Sequence, residues 1–186
     1  MTLDESAANL ARVAKECGDD VVRATDALAT SLKAGGTVFF CGNGGSAADA
    51  QHLAAELAGR FSLERPAIAG IALTTNTSSI TAIGNDYGYE FIFSRQLEGL
   101  GKKGDILVAL STSGNSKNIL EAVKAARTLG MKIIGMTGER GGAFAKLCDI
   151  ALVTPSDQTA RIQEGHIAMG HAMCESVERA LYGSKE

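Results

Sequence analysis

His52 and Glu56 stand four residues apart, a spacing that sets both side chains on one face of a helix. An imidazole and a carboxylate placed this way suit two ligands of one metal ion, or a base and its partner in proton transfer. A plain hydrogen-bonded surface pair fits the spacing too. The chemical reading gains from the segment just ahead, Gly42-Asn43-Gly44-Gly45-Ser46, which follows a short apolar run and opens the helix. Asp49 and Arg60 flank the pair, either as surface charges or, for Arg60, as a group reaching a sugar or its phosphate.

A second concentration of chemistry is Ser111-Thr112-Ser113-Gly114-Asn115-Ser116, between an apolar run and a helix start. Ser116 could serve as an ordinary N-cap and Gly114 as turn chemistry. Three serines and a threonine within six residues exceed what a cap requires. Hydroxyls and unpaired amides at a helix N-terminus favour an anion, so this loop reads as a phosphate site. No Gly-Lys-Ser/Thr follows, which excludes a nucleotide-triphosphate loop, and Ala47 stands where the dinucleotide fingerprint needs its third glycine.

The last helical segment carries the other two histidines, His166 and His171. Five residues apart, they project about 140° from one another and cannot easily serve one site. Spacing alone pairs His171 with Glu164 as readily as with Gln163, and leaves His166 as a core or surface residue. Asn85-Asp86, between Gly84 and Tyr87-Gly88-Tyr89, reads as a turn or as a polar pair for sugar hydroxyls.

The elements that must position these groups follow a repeating grammar. Short β-rich apolar runs at 37–41, 68–73, 105–110, 132–136 and 150–153 alternate with helical segments at 47–58, 78–83, 90–100, 117–129 and 159–181. Runs apolar along their whole length imply a parallel sheet covered on both faces, with ligands at the carboxyl ends of the strands. Both polar loops fall at that edge. No strand precedes the segment from Leu3 to Lys33, which reads as a helical arm (1–34) split near Gly18-Asp19-Asp20, ahead of an α/β core (35–186). The arm is apolar around much of its circumference, which predicts packing against other copies of the chain.

The chain has 186 residues, 45% hydrophobic and 21% charged, the balance of one globular domain with a substantial core. A net charge of −3 argues against nucleic acid. The acidic start is no signal peptide, no apolar stretch approaches the ~20 residues of a membrane span, and the expectation is a cytoplasmic location. Cys17, Cys41, Cys148 and Cys174 lack paired spacing and read as small buried residues in a reducing compartment.

Taken together, Cys41-Gly-Asn-Gly-Gly-Ser46, Asp49-Ala-Gln-His52, Glu56, Gly84-Asn-Asp86, Ser111-Thr-Ser-Gly-Asn-Ser116 and Arg161-Ile-Gln-Glu-Gly-His166 resemble the phosphoheptose isomerase family of the sugar-isomerase (SIS) fold. The similarity runs from about residue 30 to 182. The serine motif alone marks the wider SIS class; its combination with His52, Glu56, Gln163 and His171 is more specific. The resemblance implies a flavodoxin-like SIS fold with a five-stranded parallel sheet. It also implies a homotetramer with shared active sites, and conversion of sedoheptulose 7-phosphate to D-glycero-D-manno-heptose 7-phosphate through an enediol. It further implies zinc held by His52, Glu56, Gln163 and His171, with Glu56 and His171 as the proton-transfer pair. Ser111, Thr112, Ser113 and Ser116 would hold phosphate, and Asn43, Gly44, Gly45, Asn85, Asp86 and Gln163 would contact substrate. Some members carry an acid where this chain has Ala160; the nearest here is Asp157. The alternatives are a non-catalytic SIS protein that binds the replication initiator, or an isomerase for another phosphosugar.

Overall fold

In the computed structural model, which describes residues 2–183, five parallel strands form one sheet. They are β1 (Val38–Cys41), β2 (Gly70–Ala72), β3 (Ile106–Leu110), β4 (Lys132–Gly138) and β5 (Ile150–Thr154). The spatial order is β2-β1-β3-β4-β5, the flavodoxin-like doubly wound arrangement. The chain leaves β1 toward β2 on one side and returns to β3 on the other, so a switch-point crevice opens between the carboxyl ends of β1 and β3.

Seven α-helices accompany the sheet among the described residues: α1 (Leu3–Lys33), α2 (Gly45–Ala58), α3 (Thr77–Asp86), α4 (Ser94–Leu100), α5 (Lys117–Thr128), α6 (Gly142–Ala145) and α7 (Thr159–Tyr182). Strand residues alternate between two apolar layers. Val38, Phe40, Ile106, Val108, Leu110, Ile134 and Met136 pack with α1, α2 and α7. Phe39, Cys41, Leu107, Ala109 and Ile133 pack on the other face with α4, α5 and Phe144 of α6. The uniform apolarity of β1 and β3 follows from this burial on both faces.

Three expectations need correction. The arm is one continuous helix, not two. A capping box between Thr2 and Glu5 starts it, and it runs through Gly18, beside which a Cβ would meet open space. A glycine inside a helix costs about 1 kcal/mol, whereas burying a side chain such as Val13 or Leu28 of this helix stabilises by about 1.5–3 kcal/mol, so packing overrides the break. The 90–100 segment is a 3₁₀ turn (Tyr89–Phe91) followed by α4, and Asn85-Asp86 forms the last turn of α3. Cys17, Cys41 and Cys174 are buried, while Cys148 is half-buried; all four are free thiols. Burial pushes the Cys148 and Cys174 thiols up to about 12, which keeps them protonated and inert.

Candidate active site

Two helices begin at the switch point with no side-chain cap. Gly44 is the N-cap of α2, at φ 56°, and Ser116 is the N-cap of α5, its hydroxyl accepting no cap hydrogen bond. The orphan N–H groups of two helix starts are therefore available at the mouth of the crevice. Gly42 admits the tight exit from β1, since a Cβ there would collide with the Ser46 carbonyl. In the serine loop the Ser111 N–H donates to the Met136 carbonyl (2.9 Å), and the Ser111 hydroxyl donates to that of Ser116 (3.4 Å). Thr112 is half-buried and Ser113 exposed, with the Asn115 N–H donating to the Ser113 hydroxyl at 3.2 Å.

The two loops are tied together. The Asn43 amide donates to Asn118 Oδ1 at 2.9 Å, and the buried Asn118 amide donates back to Asn43 Oδ1 at 2.8 Å. The Tyr89 hydroxyl also donates to Asn43 Oδ1, at 3.2 Å. Asn118 and Tyr89 escaped the sequence reading; an asparagine in the first turn of the helix after the serine loop was the available signal. Asn85 and Asp86 are exposed, and the Asn85 amide donates to Asp86 Oδ1 at 2.8 Å.

Farther along α2, His52 Nε2 lies 3.2 Å from Glu56 Oε1, and 2.8 Å from Nε2 of His171 on α7. The two imidazoles meet edge to face with centroids 5.0 Å apart, and Phe61 lies at 5.7 Å from the His171 ring. One ligand atom from each of His52, Glu56 and His171 falls within 4.8 Å of the others. Two imidazoles and a carboxylate are a donor set suited to zinc, and three protein ligands leave a position for water or substrate. Asp49, one turn before His52, has its carboxyl raised by burial, against the pull of His52 and His171. Its Oδ2 is buried without a hydrogen-bond partner.

Helices α2 and α7 run side by side in the same direction: Gly45 faces Gln163, and Leu53 faces Gly170, where an added Cβ would press into the leucine. This parallel packing brings His171 to His52. It also sets Gln163 of α7 against the start of α2, where its amide occupies the space a Cβ on Gly45 would need. Glu164, weighed as a partner of His171, is engaged elsewhere: its Oε1 accepts from Arg161 and from the Ser6 hydroxyl. His166 is fully buried. Arg60 is exposed beside Glu64 at 3.9 Å, and Asp157 is engaged by Arg140.

A flavodoxin-like sheet with two uncapped helix starts at its switch point, and an imidazole–carboxylate cluster farther along one of those helices, defines an α/β protein with its site at the carboxyl edge of the strands. The SIS domain family model matches residues 3–138. The chain is 57% identical to the phosphoheptose isomerase of Rhodospirillum rubrum over 89% of its own length and 88% of that protein's. It also matches the structures of the phosphoheptose isomerases from Neisseria gonorrhoeae (46% identity, TM-score 0.89) and Francisella tularensis (40%, TM-score 0.92). Each match covers 95% of this chain and 94% of the other. The chain belongs to the phosphoheptose isomerases of the SIS domain family.

Proposed function

We infer that the chain isomerises sedoheptulose 7-phosphate to D-glycero-D-manno-heptose 7-phosphate. The observation that carries this reading is the meeting of Glu56, His52 and His171, the first two on the helix that starts at the switch point. Ketose and aldose differ by moving a proton between adjacent carbons and another between their oxygens. Glu56 and His171 divide that work: one takes the carbon-bound proton, the other carries the oxygen proton through the enediol. The serine loop anchors the phosphate with Ser111, Thr112, Ser113 and Ser116 at the start of α5. Asn43, Gly44, Gly45, Asn85, Asp86 and Gln163 face the sugar chain.

His52, Glu56 and His171 would hold zinc, which would supply charge to polarise the carbonyl. Gln163, on the same helix as His171, is the fourth ligand that the resemblance implies. A homotetramer is supported by Leu10 and Val22, exposed on α1. Among the described residues no helix is long and apolar enough to cross a membrane, which accords with a cytoplasmic enzyme. The chain is read as one domain, 1–186.

Incubation with sedoheptulose 7-phosphate in D₂O, followed by NMR, should show an aldose phosphate with deuterium at the carbon beside its new carbonyl. Tight binding of the phosphosugar without turnover, in zinc-loaded protein, would favour the non-catalytic relative instead. Retention of both Glu56 and His171 speaks for the enzyme.

A further inference from the structure

We infer that the buried ion pair of Glu178 and Arg65 is a positioning device for the proton-transfer groups, acting through the loop at 59–66. Arg65 Nε lies 2.9 Å from Glu178 Oε1, and both side chains are 1% exposed. The Glu178 carboxylate accepts from the backbone N–H of Phe61 (2.9 Å), Ser62 (2.8 Å) and Leu63 (2.7 Å), and from the Ser62 hydroxyl (3.0 Å). Arg65 in turn donates to the carbonyls of Glu56, Leu57, Gly59 and Pro66. One cation thus closes the carboxyl end of α2 at the turn that bears Glu56, where a positive charge is favoured.

Glu178 lies seven residues, two helical turns, beyond His171, so both side chains project from one face of α7. The pair therefore joins the helix of Glu56 to the helix of His171. The loop it fastens sets the Phe61 ring 5.7 Å from the His171 ring. A buried ion pair is weak as a source of stability, because well-packed apolar residues often replace one without loss. What an apolar pair could not do is tie three backbone N–H groups of the loop to carbonyls of the loop and of the end of α2. The inference rests on His171 as a proton carrier, and extends that role to residues that touch no substrate.

The test uses the whole zinc-loaded protein and three readouts: kcat, KM, and the ring resonances of its three histidines. Glu178→Gln keeps the shape and removes the charge; Phe61→Leu removes the ring and leaves the ion pair. Each should lower kcat by about 10–100-fold with KM changed by no more than about twofold, the scale of an ångström-sized misplacement. The His171 resonances should move while those of His166 stay. The double variant should be no slower than the worse single one, since both act through one loop. Parental kcat with unmoved His171 signals in both folded variants would overturn the inference. So would Glu178→Gln disturbing all three histidines while Phe61→Leu has no effect, which would mark the pair as merely structural. Should Glu178→Gln fail to fold, Phe61→Leu decides alone by the same criteria. His171→Ala, assayed alongside, separates the two readings. Full turnover there removes the acid–base assignment, whereas displaced His171 signals in the other variants would still report the brace.

Discussion

His52 and His171 meet Nε2 to Nε2 at 2.8 Å, though 119 residues separate them along the chain. Glu56 Oε1 sits 3.2 Å from the same His52 nitrogen, so the three groups converge on one point. Proton-transfer groups in such contact should act as a unit. Glu56→Gln and His171→Ala should each lower kcat by about 10²–10⁴-fold, the range of general acid–base groups. Glu56→Gln nearly preserves shape, so phosphosugar affinity should survive in it. Calorimetric binding without turnover is the expected result; near-parental turnover in His171→Ala with zinc bound would sink the assignment.

The same cluster predicts a metal dependence. His52→Ala should reduce zinc per subunit, measured by elemental analysis, with activity falling in step. Dialysis against a chelator should do likewise, and zinc should restore the rate. Full activity in protein stripped of metal would leave His52 as a proton-transfer neighbour only.

Phosphate binding should reside in the serine loop, because Ser116 occupies an N-cap position yet leaves its hydroxyl out of the cap. Ser113→Ala together with Ser116→Ala removes two hydroxyls without disturbing a helix cap bond. Phosphosugar binding should weaken while circular dichroism and assembly stay parental. Unchanged affinity in the double variant would relocate the phosphate.

Much of this was legible in the residues. The central strands were readable because burial on both faces makes β1 and β3 uninterrupted apolar runs, as in Phe39 and Phe40. His52 and Glu56 were readable because the i, i+4 rule is local. His171 could be joined to them only by resemblance. The contact depends on α2 and α7 packing in parallel, which the missing side chain of Gly170 allows against Leu53. The break expected at Gly18 failed because a local helix signal was outweighed by packing along the rest of α1. Glu178 and Arg65 carry no local signal: 113 residues apart, nothing in their spacing announces a buried pair.

Asn118 offers a test of how the two loops are coupled. Its amide exchanges two hydrogen bonds with Asn43 from a site 2% exposed. Asn118→Ala leaves the Asn43 amide without that partner, which should destabilise the protein by about 1–3 kcal/mol in urea unfolding. The phosphosugar KM should rise as well, since the glycine loop loses its tie to the serine loop. A change in stability with KM unaltered would confine Asn118 to the fold.

His166 sets an acid limit on stability. Burial pulls its imidazole down to about 4, with contact to the Thr137 backbone opposing, and the ring is fully buried on α7. Its ordinary value is 6.5, so between pH 6.5 and 4 the unfolded chain binds a proton that the folded chain refuses. At pH 7 both states are neutral and this histidine contributes nothing. As pH falls through that window stability should drop, by about 3 kcal/mol in full from a shift of this size, and level off below it. Glu178 titrates lower. Burial alone would raise its carboxyl, but the N–H groups of Leu63, Ser62 and Phe61 outweigh that and bring it down to about 2, so its contribution is lost only as pH falls from 4.5 toward 2. The two windows scarcely overlap. Urea unfolding of parent and His166→Leu from pH 7 to 4 isolates the histidine. The parent should lose stability more steeply, and the difference between the curves should flatten near pH 4. Parallel curves across the window would mean that His166 takes up its proton in the folded state, through an opening of α7 from β4.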